Sequence, residues 1–171
     1  KTFCPGLRLG WVAGPKELMD KYVLVKQGAD LHTSTLPQRL VQSYLDRHDF
    51  DANIERIRTL YRRRRDVMLE AMDQHFPPGV RYTRPQGGLF LWVELPERLN
   101  ARDLLEASLA ENVAFVPGGA FFPNGGHEHT IRLNFSNMPE DRIREGIRRL
   151  ARVISNQLAA VSKAAAGGAK A

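Results

Sequence analysis

Pro77-Pro78-Gly79 is the break that most limits what this chain can build. Before it runs an amphipathic stretch, from about Asp51 to His75. Ile54, Ile57, Leu60, Tyr61, Val67, Met68 and Met72 recur there at helical spacing. Two prolines and a glycine end such a helix, because proline lacks the backbone donor and clashes with the preceding turn. After the break the apolar period shortens to that of strands. Val80–Thr83, Gly88–Leu95, Val113–Val116 and Thr130–Phe135 read as strands, separated by Arg84-Pro85-Gln86-Gly87, Pro117-Gly118-Gly119 and Asn124-Gly125-Gly126. Asn100 caps a helix to about Asn112, and Pro139-Glu140-Asp141 opens a last helix that runs to about Ser162. Residues 78–162 are therefore expected to form a small α+β domain, an antiparallel sheet with helices on one face. Residues 51–77 form the linking helix. Residues 163–171, small and Gly-rich, are expected to be disordered.

The part before the long helix has a different balance. Pro5-Gly6 feeds one apolar run, Leu7–Val12, which reads as a strand. Gly14-Pro15 opens a helix to about Ala29, with Leu18, Tyr22 and Val25 on one face. Asp30 to Pro37 interrupts, and a second helix carries Leu40, Val41, Tyr44 and Leu45. A lone strand is not stable by itself. Residues 1–50 are thus expected to be the end of a larger domain. The chain, which opens abruptly at Lys1, is expected to be a fragment of a longer one.

Composition narrows the class. A length of 171 residues holds one good core or two small ones. No run of about 18 apolar residues exists, and the N-terminus lacks a signal pattern. The single cysteine, Cys4, cannot form an internal disulfide, which favours a reducing, cytoplasmic setting. It is read as a small buried apolar residue. The net charge of +6 comes from 25 Lys+Arg against 19 Asp+Glu. Most of the excess falls on helical stretches around Arg56–Arg65 and Arg142–Arg152. Aromatic residues are not interleaved there as a surface for stacking on bases would need, Tyr61 belonging to the apolar stripe, so solvated helix faces are expected rather than a nucleic-acid surface.

Four places carry candidate chemistry. Arg8 lies inside an apolar run, where an unpaired charge is costly. A carboxylate or a phosphate suits its planar fork. Lys1 beside a phosphate site suggests pyridoxal phosphate, whose aldehyde takes a lysine. An exposed lysine with a structural Arg–carboxylate pair is the other reading. Gly87 and Gly88 precede a strand and allow either close backbone approach to a ligand or a plain turn. Pro117–Phe122 is a turn whose phenylalanines belong to a core or to a site. Arg132 sits in an alternating strand, as a ligand clamp or in a surface ion pair.

The segment Lys1-Thr2-Phe3-Cys4-Pro5-Gly6-Leu7-Arg8-Leu9-Gly10-Trp11 resembles the lysine motif of class I and II aminotransferases, the α/β fold-type I enzymes that use pyridoxal phosphate. Three further segments resemble that family in the same order. They are Pro85-Gln86-Gly87-Gly88-Leu89-Phe90-Leu91-Trp92, Val116-Pro117-Gly118-Gly119-Ala120-Phe121-Phe122 and Ile131-Arg132-Leu133-Asn134-Phe135-Ser136. The likeness extends to about Leu158 and leans towards enzymes acting on 2-aminoadipate, aromatic or branched-chain amino acids. It implies the tail of a large pyridoxal-phosphate-binding domain followed by a small C-terminal domain. It implies that Lys1 is the Schiff-base lysine, that Arg8 binds the cofactor phosphate and that Arg132 holds the substrate α-carboxylate. It also implies an entrance or cross-subunit loop at His32, Gly87 and Gly88, and a homodimer. A turn or capping role for Thr33 and Ser34 stands beside that loop reading.

Transamination between an amino acid and a 2-oxo acid is the activity so implied, with no metal and no membrane. These residues alone are expected to be inactive, because the remaining cofactor contacts of the family lie upstream of its lysine. Two alternatives share the scaffold: an effector-sensing domain of a winged-helix transcription regulator, and a pyridoxal-phosphate-dependent lyase.

Overall fold

The structure is a computed structural model that describes residues 2–168. It divides into two compact units, Lys1–Ile57 and Arg58–Ala171. No described helix is long and apolar enough to cross a membrane.

The first unit is helical. A 3-10 turn, Pro5–Leu7, precedes α1 (Lys16–Ala29) and α2 (Thr35–Arg47), and the unit ends in the first turns of α3 (Phe50–His75). The strand expected at Leu7–Val12 does not form. Arg8 adopts a left-handed backbone, φ 54° and ψ 32°, and its N–H donates to the Pro5 carbonyl. That breaks the extended run, and no described strand lies beside Leu7–Val12 to supply ladder bonds. Cys4 is exposed rather than buried. Phe3 packs on Tyr44 with ring centroids 4.5 Å apart and lies 6.5 Å from Phe50, so aromatic contact ties the opening residues to α2. Pro15 takes the N-cap position of α1, where it needs no donor. Ser34 is the N-cap of α2, but its side chain makes no capping bond. Gln38 instead reaches back to the Thr33 carbonyl at 2.9 Å.

The second unit is built on a four-stranded antiparallel sheet. Its strands are β1 (Arg81–Tyr82), β2 (Phe90–Glu94), β3 (Val116–Pro117) and β4 (Thr130–Asn134), in the order β1-β2-β4-β3. Helices α4 (Ala101–Ala110) and α5 (Glu140–Gly168) complete it with the rest of α3. Asn100 caps α4, its Oδ1 accepting from the Arg102 N–H at 2.8 Å. Alternation sorts the two central strands. Leu91, Val93, Ile131 and Leu133 turn to one face and are buried with Met72, Leu104, Ile147, Leu150 and Ile154. The other face carries Phe90, Trp92, Arg132 and Asn134. Helix α5 runs past the expected end at Ser162, to Gly168. Residues 169–171 of the tail lie outside the described residues.

Several arginines of the two basic helices are drawn into ion pairs. Arg63 meets Glu140 at 2.6 Å, Arg144 meets Glu70 at 2.7 Å, and Glu145 takes both Arg148 and Arg149. Arg152 pairs with Glu111.

Candidate active site

Arg132 and its surroundings follow from strand register. In β2 and β4, Trp92 pairs with Arg132 and Phe90 with Asn134. Phe90 is therefore the diagonal neighbour of Arg132 on the same face, within reach of a long side chain. The Arg132 guanidinium carbon lies 4.1 Å from the centre of the Phe90 ring. On the β3 side, Val116 pairs with Arg132, and the chain then folds into a 3-10 turn, Gly118–Phe121. This turn comes down onto the sheet because Gly118 has no side chain. A Cβ there would stand 2.0 Å from Thr130 Oγ1 and 2.9 Å from the Thr130 carbonyl oxygen. The close approach covers Thr130, which donates to the His127 carbonyl. It also delivers Phe121, whose ring centre lies 4.6 Å from the Arg132 guanidinium carbon. Trp92 meets Phe121 edge-on, with centroids 5.7 Å apart.

Arg132 thus lies over aromatic rings and has no carboxylate. Among the described residues no ion pair reaches it, and its Nε is shielded from solvent without a hydrogen-bond partner. The surface ion pair entertained from the sequence is not what the strand makes. Of the two readings of Phe121 and Phe122, the core is not what forms. Phe121 is 45% exposed, and Phe122 stacks on His127 at 4.0 Å.

The turns beside this face are tied down. Asn134 Oδ1 accepts from the Ser136 N–H at 2.7 Å and from the Ser136 hydroxyl at 2.8 Å. Phe135 donates its N–H to the Leu89 carbonyl at 3.1 Å, which sets the loop carrying Gly87 and Gly88 against the end of β4. Gly88 has φ +83°, a conformation that side chains rarely adopt, and a Cβ at Gly87 would meet nothing within 4 Å. From α3, Arg64 donates to the Ser136 carbonyl and Arg65 to the Pro85 carbonyl at 3.0 Å. Sequence reasoning missed these two arginines and the two ring partners of Arg132. Only the pairing of β2 with β4, unknown from spacing, brings Phe90 to Arg132.

The first unit holds Arg8 and His32. Lys1 lies outside the described residues. Pyridoxal 5′-phosphate needs a cation for its phosphate, and Arg8 is suited to that. It is exposed, and no described carboxylate pairs with it. The costly buried charge inferred from the sequence is absent, since Arg8 stands in a turn. His32 Nδ1–H donates to the Thr33 carbonyl at 3.0 Å. It lines a cavity of about 780 Å³ with Phe3, Leu7, Trp11, Gln38 and Phe50.

Residues 2–150 match the family of class I and II aminotransferases, and the chain belongs to that family. It is 48% identical over 161 residues to the 2-aminoadipate transaminase of Thermus thermophilus, covering 94% of this chain and 40% of that protein. It is 41% identical over 158 residues to aromatic-amino-acid aminotransferase 1 of Thermococcus litoralis, covering 92% and 38%. Among solved structures, a Thermus thermophilus α-aminoadipate aminotransferase complexed with N-(5′-phosphopyridoxyl)-L-leucine superposes with a TM-score of 0.86. That match covers 91% of this chain and 40% of the other. The chain spans about two-fifths of the length of these relatives.

Proposed function

We propose that the chain serves pyridoxal-phosphate-dependent transamination between an α-amino acid and a 2-oxo acid. The observation that carries this reading is Arg132, a guanidinium without a carboxylate of its own on a sheet face where its Nε lacks a partner. Amino acid and 2-oxo acid share one feature, the carboxylate beside the reacting carbon. A fork that holds it in two parallel bonds orients the bond to be broken at Cα. Lys1 would hold the cofactor covalently and, once displaced, its Nζ would take the proton from the substrate Cα. Arg8 would hold the phosphate. When bound, the cofactor's ring supplies the electron sink for the carbon left behind. The loop at His32, with Gly87 and Gly88, would border the entrance in a cytoplasmic homodimer. The likeness to 2-aminoadipate and aromatic transaminases supports substrates with long or aromatic side chains.

Supplying the full-length protein with pyridoxal phosphate, 2-oxoglutarate and a panel of amino acids tests the reaction. Glutamate should form, and Lys1→Ala should abolish its formation. Borohydride should tag Lys1 in the parent. A tag on Lys21 or Lys26 would move the covalent role and sink the assignment. Absence of any amino transfer would favour the effector-sensing reading.

A further inference from the structure

The geometry points to Phe90 and Phe121 as positioning residues for the carboxylate held by Arg132. This rests on the function proposed above and adds to it the groups that aim the fork. The guanidinium carbon lies over both rings, 4.1 and 4.6 Å from their centres. An aromatic face attracts a cation placed over it, within about 6 Å. An arginine drawn onto two ring faces is held in place and still has N–H groups for a ligand. A carboxylate meets two of them in parallel. The rings therefore do two things for Arg132. They replace part of the solvation lost by a guanidinium whose Nε is out of water, and they hold the fork where a carboxylate must meet it.

Other uses of these side chains explain less. Phe90 is 37% exposed and Phe121 is 45% exposed, although both are large and apolar. Neither belongs to the buried cluster behind the sheet. Their placement is nevertheless built rather than accidental. Phe90 is set by the register of β2 on β4, and Phe121 by the descent of the Gly118 turn onto Thr130. A strand and a turn from separate parts of the sequence converge on one guanidinium, with Trp92 backing Phe121 edge-on.

The test removes the ring face and keeps apolar volume. Phe90→Leu and Phe121→Leu are made in the full-length protein, each beside Phe→Tyr, which keeps the face. Affinity for 4-methyl-2-oxopentanoate and for 2-oxoglutarate is read by calorimetry, independently of turnover. Each leucine variant should bind both acids about 3- to 30-fold more weakly, and each tyrosine variant should restore most of the loss. In an Arg132→Ala background the same leucine changes should have no further effect, because the rings act through the arginine. Unchanged affinity in both leucine variants overturns the proposal. So does a loss that persists without Arg132, or one that affects only one acid, since either marks a direct contact with the substrate side chain. The tyrosine variants guard against misfolding, because a variant that keeps the ring yet binds no better than leucine also counts against it. A parent that binds the acids without amino transfer sinks the proposed reaction and leaves the ring effect measurable. A parent that transaminates while the leucine variants bind normally does the reverse.

Discussion

Arg132 is the side chain on which the proposed chemistry turns. Its strand alternates, so Ile131 and Leu133 are buried at 0% and 5% exposure while Arg132 is sent to the opposite face. There it meets rings instead of a carboxylate. In the full-length protein, Arg132→Ala should lower kcat/KM for every amino acid tested, because every substrate carries the α-carboxylate. Loss of a desolvated, charge-assisted pair costs about 2–5 kcal/mol, roughly thirty-fold to several thousand-fold. Arg132→Lys should recover only part, since an ammonium cannot make the fork. Steady-state kinetics across aliphatic, acidic and aromatic donors checks this. A loss confined to one donor class would place Arg132 against a side chain instead. A second residue-scale expectation concerns Glu145 on α5. Arg148 first, and Arg149 after it, hold its carboxylate, lowering its pKa from the ordinary 4.5 to about 2. A lowered folded-state value means the stabilisation is present above about pH 4.5 and is lost as pH falls towards about 2. Urea unfolding between pH 2 and 5 should therefore show a flatter acid limb in Glu145→Gln than in the parent. Identical acid limbs would show that the exposed pair contributes nothing, as many surface pairs do.

At the level of elements, the turn Gly118–Phe121 is the most constrained piece of backbone beside the site. An added Cβ at Gly118 would collide with Thr130 at both side chain and carbonyl. The turn must then lift off the sheet. Gly118→Ala should destabilise the fold by about 1–3 kcal/mol, as overpacking commonly does. It should also weaken carboxylate binding by displacing Phe121. Chemical denaturation beside calorimetry checks both; full stability with full binding would show that the turn yields at no cost. The Pro-Gly-Gly signature made this a turn in the sequence, but not a turn pressed onto a strand. The same limit appears elsewhere. The long helix and its stop at Pro77-Pro78-Gly79 were legible because amphipathic spacing and prolines act locally, and α3 ends at His75. The strands were legible as apolar runs, though only Val116–Pro117 pairs where Val113–Val116 was expected. Leu7–Val12 misled because an apolar run reports burial in some partner and does not itself create one. The left-handed Arg8 was not legible, since nothing in a Leu-Arg-Leu run announces a positive φ. The ring partners of Arg132 depended on strand register, which is a long-range fact.

For the whole molecule, the decisive contrast is where apolar surface goes. No described residue of the first unit is buried, and Trp11 and Val25 stand 88% and 71% exposed. Every buried side chain among the described residues lies between Val67 and Ile154. Ordering a residue costs about 1–2 kcal/mol in backbone entropy, and burial of apolar area is the main term that offsets it. Residues 58–168 have that offset, with a sheet face covered by helices. Residues 2–57 have it only in part, through Phe3 on Tyr44 and the contacts of the opening turn. Helices of 14 and 13 residues, as α1 and α2 are, lie near the length at which isolated helices are marginal in water. The ion pairs Lys16–Asp20 and Lys26–Asp30 on α1 are exposed and add little. Two stabilities should therefore coexist in this 171-residue chain. Native-state hydrogen exchange should find the β2 and β4 amides of Leu91, Val93, Ile131 and Leu133 opening only with global unfolding. The amides of α1 and α2 should exchange at least a hundredfold faster than those strands, and urea should melt helix signal before the near-ultraviolet signal of Trp92. A single transition by both probes, with α1 protected as strongly as β4, would mean that the first unit draws stability from burial that its own residues do not supply.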